Sequence, residues 1–553
     1  MPTISVYGGA RMIGGNKILL EDGDSRLFFD FGTTFKTRDL YFEEYLNPRP
    51  GAGVLDMLEM GLLPPLEGLY RPDLVPSGDV WERCRDRPGY RELERVDGVL
   101  VSHAHVDHTG YISFLREDTP VYASALTAFI AKAMQDSGMA DFEKEICYIS
   151  RRAKEEKEGK EDKEEVEGGY LKTQRESYRQ RPFCFADTAA LSPEAEEFWA
   201  RSPNHIPGAD NRRRKGLEPA PFATAPERAG GLPVRFFPVD HSVRGAGAWA
   251  VETSAGWVVY TGDLRWHGSA AEETRRFIHE VASLRPRLLL CEGTRIPKEG
   301  VAAGALELEN HTEQVVLDRA LGQVQGEAGL VIADFGPRNI ERLETFLKIA
   351  DQTGRQLVVL GKDAYLLEAM RLVSPAVPAL SSNERMLVYQ DLRYKIEPWE
   401  QDLRSGPGQR VVSARKVHDS PGDYILCFSF WDSKNLIDIN VQGGLYVYSS
   451  SEAYTEEQEM DFERLRNWLG HFGMRSVGLP YSKRQSIAEL PEEEQGLHAS
   501  GHASANDIIE FVREIGPRTV VPVHTENPGY FLEHLRDTDV EVRVLEYGES
   551  WAF

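Results

Sequence analysis

Residues 98–110, GVLVSHAHVDHTG, place three histidines and one aspartate directly after an apolar, strand-like run. In an extended segment alternate side chains share a face, so His103 and His105 can point at one ion. A turn at Val106 then directs Asp107 and His108 toward a second ion. This stretch therefore predicts a site for two metal ions, supplied largely by one loop.

The residue types indicate which metals and which chemistry the loop serves. Imidazole and carboxylate donors suit zinc best, and manganese is also compatible with them. Two such ions about 3.5–4 Å apart can activate and orient water for attack on phosphorus or on a carbonyl carbon. We therefore expect a hydrolase that uses two Zn²⁺ ions, with Mn²⁺ as the alternative.

Two further motifs follow in the chain. His241 is the sixth residue of FFPVDHS at 236–242, and Asp263 is the last of VYTGD at 259–263; each motif contains a β-rich run. With His-x-His-x-Asp-His after a strand, these motifs resemble the metallo-β-lactamase fold. Asp30, in LFFDFG, stands where that family keeps an aspartate behind the metal ligands. The resemblance implies an αββα sandwich, and it implies one ligand set of His103, His105 and His241, a second of Asp107 and His108, and Asp263 as the bridge.

The C-terminal part narrows the resemblance to the β-CASP nuclease branch, most closely ribonuclease J. LHASGHAS at 497–504 and VPVHTE at 521–526 resemble its closing motifs. The resemblance makes Glu292 motif A, His502 motif B and His524 motif C. DNA-acting members lack a histidine at motif C, so His524 favours RNA. It also implies that His524 either ligates the second metal ion directly or lies behind its ligands.

The same resemblance assigns the remaining roles. Asp107 or Asp263 would orient the attacking water. A carboxylate beside an imidazole favours the protonated form, so His502 paired with Glu292 is the candidate general acid. His498 and Ser500 would bind a neighbouring phosphate of the substrate.

Predicted elements organise the chain around these motifs. We expect residues 1–295 to form the first half of the metal domain, with insertions at about 38–92 and 140–230. Helices at 313–321 and 340–350 alternate with strands at 330–333 and 357–360, which predicts a parallel sheet and hence an α/β cap at 300–450. Residues 451–553 should return to the metal domain, with strands at 475–479 and 519–523 and a helix capped by Ser504.

Composition bounds the kind of protein. A chain of 553 residues predicts two to four units, and its 41% hydrophobic and 10% aromatic content is ordinary for a globular enzyme. The net charge of −24 argues against a general nucleic-acid binder. Many of the acidic residues lie at 155–167, within a Lys-Glu-rich region at 140–178 that we expect to be an exposed helical arm. Because the net charge averages the whole surface, a groove that holds two metal ions can still be positive.

Cysteines and the N-terminus indicate the compartment. The five cysteines form no Cys-x-x-Cys pair, so we expect no disulfide framework and a reducing cytoplasm. Neither a signal peptide nor an apolar run of about twenty residues is present, so no membrane association is expected. The chain stops about thirty residues after His524, so we expect no C-terminal domain like that of bacterial ribonuclease J. A homodimer is possible.

Three alternatives remain open beside a nuclease of single-stranded RNA. A DNA nuclease of the same branch is disfavoured by His524. A hydrolase of small thioesters or lactones would use the same metal core, but it needs neither Glu292, nor His502, nor a long cap. A non-catalytic RNA-binding scaffold would not need a full ligand set. The leading prediction acts from a 5′ end, and internal cleavage also stays open.

Overall fold

The computed structural model describes residues 1–43, 45–76, 78–138, 142–154, 171–206, 210–299, 312–336, 338–392, 396–401, 403, 410–450, 456–480 and 490–553. Within these ranges the chain forms two facing sheets and a third, separate parallel sheet. In the described part of the chain, no helix is both long and apolar enough to cross a membrane.

The first sheet contains the strand that leads into the metal loop, which we define as residues 101–110. Its strands, in spatial order, are Phe222–Thr224, Phe183–Phe185, Val121–Ala123, Gly98–Leu100, Ser25–Phe29, Lys17–Asp22, Thr3–Gly8 and Ser550–Ala552. Ser25–Phe29 pairs parallel with Gly98–Leu100. Because parallel strands end at the same edge, Asp30 and the metal loop begin side by side.

The second sheet brings three other site residues to one edge. Its strands, in spatial order, are Arg228–Ala229, Leu232–Pro238, Gly247–Thr253, Gly256–Tyr260, Leu288–Cys291, Thr519–Pro522 and Glu541–Val542. Gly256–Tyr260, Leu288–Cys291 and Thr519–Pro522 are parallel neighbours. The loops after their carboxyl ends carry Asp263, Glu292 and His524, although Glu292 follows Asp263 by 29 residues and His524 follows Glu292 by 232.

The two sheets pack face to face. Ile18 and Leu20 point into a core shared with Trp249 and Val258 of the second sheet, while Leu19 points to the opposite face. This alternation follows from the two-residue period of a strand. Helices such as Ala271–Leu284 cover the outer faces. The layer order is the αββα sandwich that the sequence predicts.

Helices surround all three sheets. The described α-helices are Phe35–Arg38, Leu55–Glu59, Val106–Thr109, Ala125–Ser137, Pro193–Ala200, Ala271–Leu284, Glu313–Gln325, Ile340–Thr353, Gly361–Val373, Ala414–Asp419, Asn435–Ile439, Glu456–His471, Ala505–Ile515 and Gly529–His534. Short 3₁₀ turns lie at Pro50–Ala52, Pro72–Leu74, Gly78–Val80, Glu82–Cys84, Gly110–Phe114, Phe142–Lys144, Pro398–Glu400, Pro421–Asp423 and Phe430–Asp432.

The two insertions belong to the body of the metal domain. Met57 and Leu74 of the first insertion are fully buried in the core on the outer face of the first sheet. In the second insertion, Phe183–Phe185 is itself a strand of that sheet. Other described strands of the insertions form three small sheets. Two have two strands each, Leu66–Glu67 with Arg91–Glu92 and Arg152–Lys154 with Leu171–Thr173. The third has three strands, in the order Leu217–Glu218, Tyr178–Gln180 and Tyr148–Ile149.

The prediction of an exposed helical arm at 140–178 is wrong for the residues that the structure describes. Four short strands lie here instead of a helix, because each segment pairs with a neighbouring strand: Tyr148–Ile149, Arg152–Lys154, Leu171–Thr173 and Tyr178–Gln180. The acidic run 155–167, on which the helix prediction mainly rested, lies outside the described residues.

The cap sheet is parallel throughout its described strands, as its alternating pattern predicts. In spatial order the strands are Val411–Ser413, Met386–Gln390, Gln356–Val359, Tyr424–Leu426, Val331–Asp334, Leu445–Tyr448 and Arg475–Val477. Helices connect successive strands, as parallel crossovers require.

One strand lies in a different sheet from the one expected. Arg475–Val477 pairs with Leu445–Tyr448 of the cap, not with the metal domain. The preceding helix, Glu456–His471, buries Leu465 and Leu469 in the cap core. These elements form one strand–helix–strand crossover, so strand pairing extends the cap beyond residue 450. Periodicity predicts such a strand but does not show which sheet it joins.

Candidate metal centre

The metal loop turns where the sequence predicts a turn. His105 is extended, with φ −70° and ψ 149°, and the helix Val106–Thr109 begins at the next residue. The Gly15 N–H donates to the Asp107 carbonyl oxygen at 3.0 Å. A Cβ atom on Gly32 would lie only 1.6 Å from that same oxygen, so only glycine permits this approach. Neighbouring backbone thus holds the loop in place.

The first donor cluster combines two histidines of the loop with His241 and Asp263. The Nδ1 atom of His105 lies 2.9 Å from Nε2 of His103 and 3.3 Å from Nε2 of His241. Nε2 of His103 lies 3.6 Å from Oδ2 of Asp263. Donors about 2.0–2.1 Å from a tetrahedral zinc ion are roughly 3.3 Å apart, which is the scale of these separations.

The second donor cluster combines Asp107 and His108 with His524. Oδ2 of Asp107 lies 3.5 Å from Nε2 of His108 and 3.4 Å from Nε2 of His524. Oδ2 of Asp263 lies 3.2 Å from Nε2 of His108. The same carboxylate oxygen therefore faces both clusters, which is the position of a bridging ligand.

Buried polar atoms test whether the residues fit metal ions. Nε2 of His108 and Oδ1 of Asp263 are buried, and neither has a hydrogen-bond partner among the described residues. Such atoms are costly unless something compensates them. A cation would supply that compensation, and the nitrogen and carboxylate donors suit zinc or manganese. The residues therefore fit the metals that the sequence predicts.

Hydrogen bonds to Nδ1 orient three of the ligand histidines. His108 pairs with Oδ2 of Asp30 at 2.7 Å, His241 with the Gly501 carbonyl oxygen at 2.6 Å, and His524 with Oγ1 of Thr294 at 2.8 Å. In each ring the proton lies on Nδ1, so the lone pair of Nε2 is available to bind a metal ion.

Asp30 organises the base of the site. Its carboxylate accepts hydrogen bonds from the Ser102 N–H at 2.7 Å, from the Ser102 hydroxyl at 2.8 Å and from the Tyr260 hydroxyl at 2.6 Å. Its backbone is left-handed, with φ 53°. Asp30 thus contacts a ligand histidine from behind, where the sequence analysis expects it.

Burial keeps the first set of histidines neutral. It lowers the pKa of His103 and His105 well below the usual 6.5, and it lowers the pKa of His241 to about 3. Neutral imidazole is the form that binds metals.

Charges in the second set complement one another. Burial raises the pKa of Asp107 and Asp263, but the charge of His108 outweighs it, so both carboxyl pKa values fall well below 3.8. Burial lowers the pKa of His108, but Asp263 and Asp107 raise it more strongly, to a net value well above 6.5. The proton on His108 supplies the positive charge that a metal ion would otherwise supply.

Glu292 and His502 form a pair beside both clusters. The Glu292 oxygens lie 3.3 and 3.1 Å from Nδ1 of His502, which is 4.0 Å from Asp263. Burial lowers the pKa of His502, but Glu292 raises it to a net value above the usual one. Glu292 also accepts the Leu264 N–H at 2.7 Å and the Thr294 hydroxyl at 2.6 Å.

His498 and Ser500 are already engaged by protein groups. The two ring nitrogens of His498 face the carbonyl oxygens of Ser450 and Gly478, the latter at 3.0 Å. The Ser500 hydroxyl accepts the His502 N–H at 3.1 Å. A phosphate at His498 would have to displace one of its two carbonyl contacts, so the geometry of His498 favours a part in holding the loop around His502. The Ser500 hydroxyl only accepts here, so its O–H can still donate to a phosphate.

Sequence reasoning missed two residues at the site. Thr294 connects Glu292 to His524 through its hydroxyl, and Arg338 of the cap reaches the metal loop. Thr294 carries a usable signal, because side chains two positions apart in extended chain share a side. Arg338 carries none, since its position depends on how the cap docks.

Two protein families match parts of the chain. The family described as "Beta-lactamase superfamily domain" matches residues 75–157, and the one described as "Zn-dependent metallo-hydrolase RNA specificity domain" matches residues 492–545. Together with the sandwich and the ligand clusters, these matches define a metallo-β-lactamase-fold protein.

Relatives narrow the class to proteins like ribonuclease J. The chain is 20% identical to ribonuclease J of Corynebacterium glutamicum over 95% of its own length and 53% of the relative's. It is 17% identical to that of Helicobacter pylori, over 95% and 56%, and 20% identical to that of Mycolicibacterium smegmatis, over 94% and 68%. The chain is thus similar to ribonuclease J, and it spans about half the length of the first two relatives.

A solved structure shares the whole fold. The crystal structure of a protein of unknown function from Enterococcus faecalis V583 has a TM-score of 0.62 to this chain at 20% identity. The match covers 100% of this chain and 99% of that one. Cap, insertions and sandwich therefore recur together in another protein.

Proposed function

We propose that the protein is a metal-dependent hydrolase of phosphodiester bonds in RNA. One observation carries the proposal: Asp263 of the first donor cluster lies 3.2 Å from His108 of the second, and the His502–Glu292 pair groups with the same Asp263. The match to an RNA specificity domain and the ribonuclease J relatives support RNA as the substrate. His524 at the second cluster supports RNA over DNA.

We assign the metal ligands by cluster. His103, His105 and His241 would hold one ion, and Asp107, His108 and His524 would hold the other, with Asp263 between them. Two divalent ions, zinc or manganese, would supply Lewis acidity and lower the pKa of water toward neutrality.

The chain's own groups then handle water and protons. A carboxylate of Asp107 or Asp263 orients the attacking water in line with the bond between phosphorus and the leaving 3′ oxygen. That bond breaks as the bond from water to phosphorus forms. Because Glu292 engages Nδ1 of His502, we assign the proton on Nε2 to the leaving oxygen.

The deciding experiment compares substrates. Purified protein with zinc or manganese receives single-stranded RNA carrying a 5′-monophosphate or a 5′-triphosphate, circular RNA and matched DNA. We expect hydrolysis of RNA well above DNA, and circular RNA separates internal from terminal cleavage. Equal or faster cleavage of DNA would contradict the proposal, as would lactone or thioester hydrolysis without nuclease activity.

A further inference from the structure

Arg338 brings a guanidinium group from the cap to the metal loop. It follows the strand Val331–Asp334 and precedes the helix Ile340–Thr353. Its Nη1 donates a hydrogen bond to the Ala104 carbonyl oxygen at 2.9 Å, and Ala104 separates the ligands His103 and His105. The cap and the metal loop therefore meet at this side chain.

Arg338 lacks the carboxylate partner that neighbouring arginines have. Arg342 pairs with Glu313 at 2.9 Å, and Arg265 pairs with the cap residue Glu341. Among the described residues, no carboxylate lies within ion-pair distance of Arg338. Its side chain is half-buried, and a guanidinium has five N–H donors, of which Ala104 uses one. Arg338 thus retains charge and donors for a further group.

The electrostatic surroundings indicate what that group is. Asp107, a candidate metal ligand, is the carboxylate whose charge acts on Arg338, and the charge of Arg338 contributes to the lowered pKa of His105. If Asp107 binds a cation, it no longer neutralises the guanidinium. The partly buried guanidinium of Arg338 would then lie unpaired beside a positively charged metal site, which is unfavourable unless an anion lies between them.

We infer that Arg338 binds the phosphate under attack, through N–H groups not used by Ala104. The planar fork of a guanidinium matches two phosphate oxygens, and its charge stabilises the negative charge that accumulates on them. This inference rests on the proposed function and adds a group from the cap to it. It makes cap docking a requirement for cleavage, because the metal domain alone lacks this cation.

The competing explanation is that Arg338 only fastens the cap to the loop through Ala104. Two variants separate these roles. Arg338→Gln keeps an N–H donor for the carbonyl oxygen of Ala104 but removes the charge, and Arg338→Lys keeps the charge but loses the fork. Arg415→Gln is the matched control, because Arg415 is an exposed cap arginine, 79% accessible and paired with Asp419.

Binding is measured by fluorescence anisotropy of a single-stranded RNA, first on metal-stripped protein and then on zinc-loaded protein with a phosphorothioate RNA. We expect Arg338→Gln to weaken binding about 10-fold at low salt and to reduce the slope of log affinity against log salt by about 0.7–1. With cleavable RNA, kcat should fall about 10²-fold or more. Arg338→Lys should restore the salt slope but not kcat, and Arg415→Gln should match the parent.

Unchanged RNA affinity and salt slope in Arg338→Gln, with the parent binding RNA, would overturn this inference and leave the proposed function standing. The inference is also overturned if Arg338→Gln loses RNA affinity only in proportion to lost zinc or lost thermal stability. That result would show that Arg338 only fastens the cap to the metal loop. A parent protein that neither binds nor cleaves RNA would overturn the proposed function and this inference with it.

Discussion

At the scale of single residues, His502 differs from the ligand histidines in what faces its ring. Its Nδ1 lies 3.1 Å from Glu292, whereas the Nδ1 atoms of His108, His241 and His524 face an Asp30, carbonyl or hydroxyl oxygen, which leaves Nε2 toward the clusters. We therefore predict that His502→Ala keeps both metal ions and loses about 10²–10⁴-fold in the rate of RNA cleavage. Metal content and single-turnover rates measure the two quantities separately.

A leaving group that needs no proton provides the control. A nitrophenyl phosphodiester should lose much less rate than RNA in His502→Ala, and Glu292→Gln should change the RNA rate in the same direction. His502 is also near enough to Asp263 and Glu292 to bind a cation with them. Loss of one metal ion from His502→Ala would therefore identify a ligand and exclude the proton donor.

At the scale of elements, the strand Val331–Asp334 ends in an acid buried within the cap. Burial raises the pKa of Asp334 from 3.8 to about 7, against the hydrogen bond that it accepts from Tyr446. Between these two pH values the folded cap holds a proton that the unfolded chain has released. The contribution of Asp334 to stability is therefore complete below about pH 4 and is lost as the pH rises through 7.

We predict that Asp334→Asn flattens this pH dependence, because an amide has no proton to lose and still offers Tyr446 an oxygen. Urea midpoints measured from about pH 5 to pH 8 should decline less in the variant than in the parent. Asp419→Asn, at an exposed cap helix, is the control and should decline as the parent does. Parallel curves for Asp334→Asn and the parent would show that Asp334 does not titrate in this range.

At the scale of the whole molecule, the metal content tests whether the clusters act as one centre. We predict about two divalent ions per chain, determined by elemental analysis. His103→Ala combined with His105→Ala should remove metal with little loss of fold, because the four hydrophobic core clusters of the described residues contain neither side chain. Full activity after chelation would contradict a metal mechanism.

Much of the architecture could be predicted because the relevant signals are local. The alternation at 330–360 predicts strands and helices of the cap within a few residues of those observed, and Ser504 begins the helix Ala505–Ile515 through a capping box with Asp507. The wrong predictions concern which strands pair with each other. The strand Arg475–Val477 pairs with the cap, and Tyr148–Ile149 and Arg152–Lys154 are strands, because pairing depends on distant segments that a local pattern does not show.

Residue type and spacing along the chain settle the donor chemistry of His103, His105, Asp107 and His108, and so indicate that these residues can bind metal. What each donor faces depends on the tertiary fold. Parallel pairing brought Asp263, Glu292 and His524 to one edge, and cap docking placed Arg338 at Ala104. The physical reason is that donor chemistry belongs to a side chain, whereas charge compensation and hydrogen-bond direction arise only between segments that folding brings together.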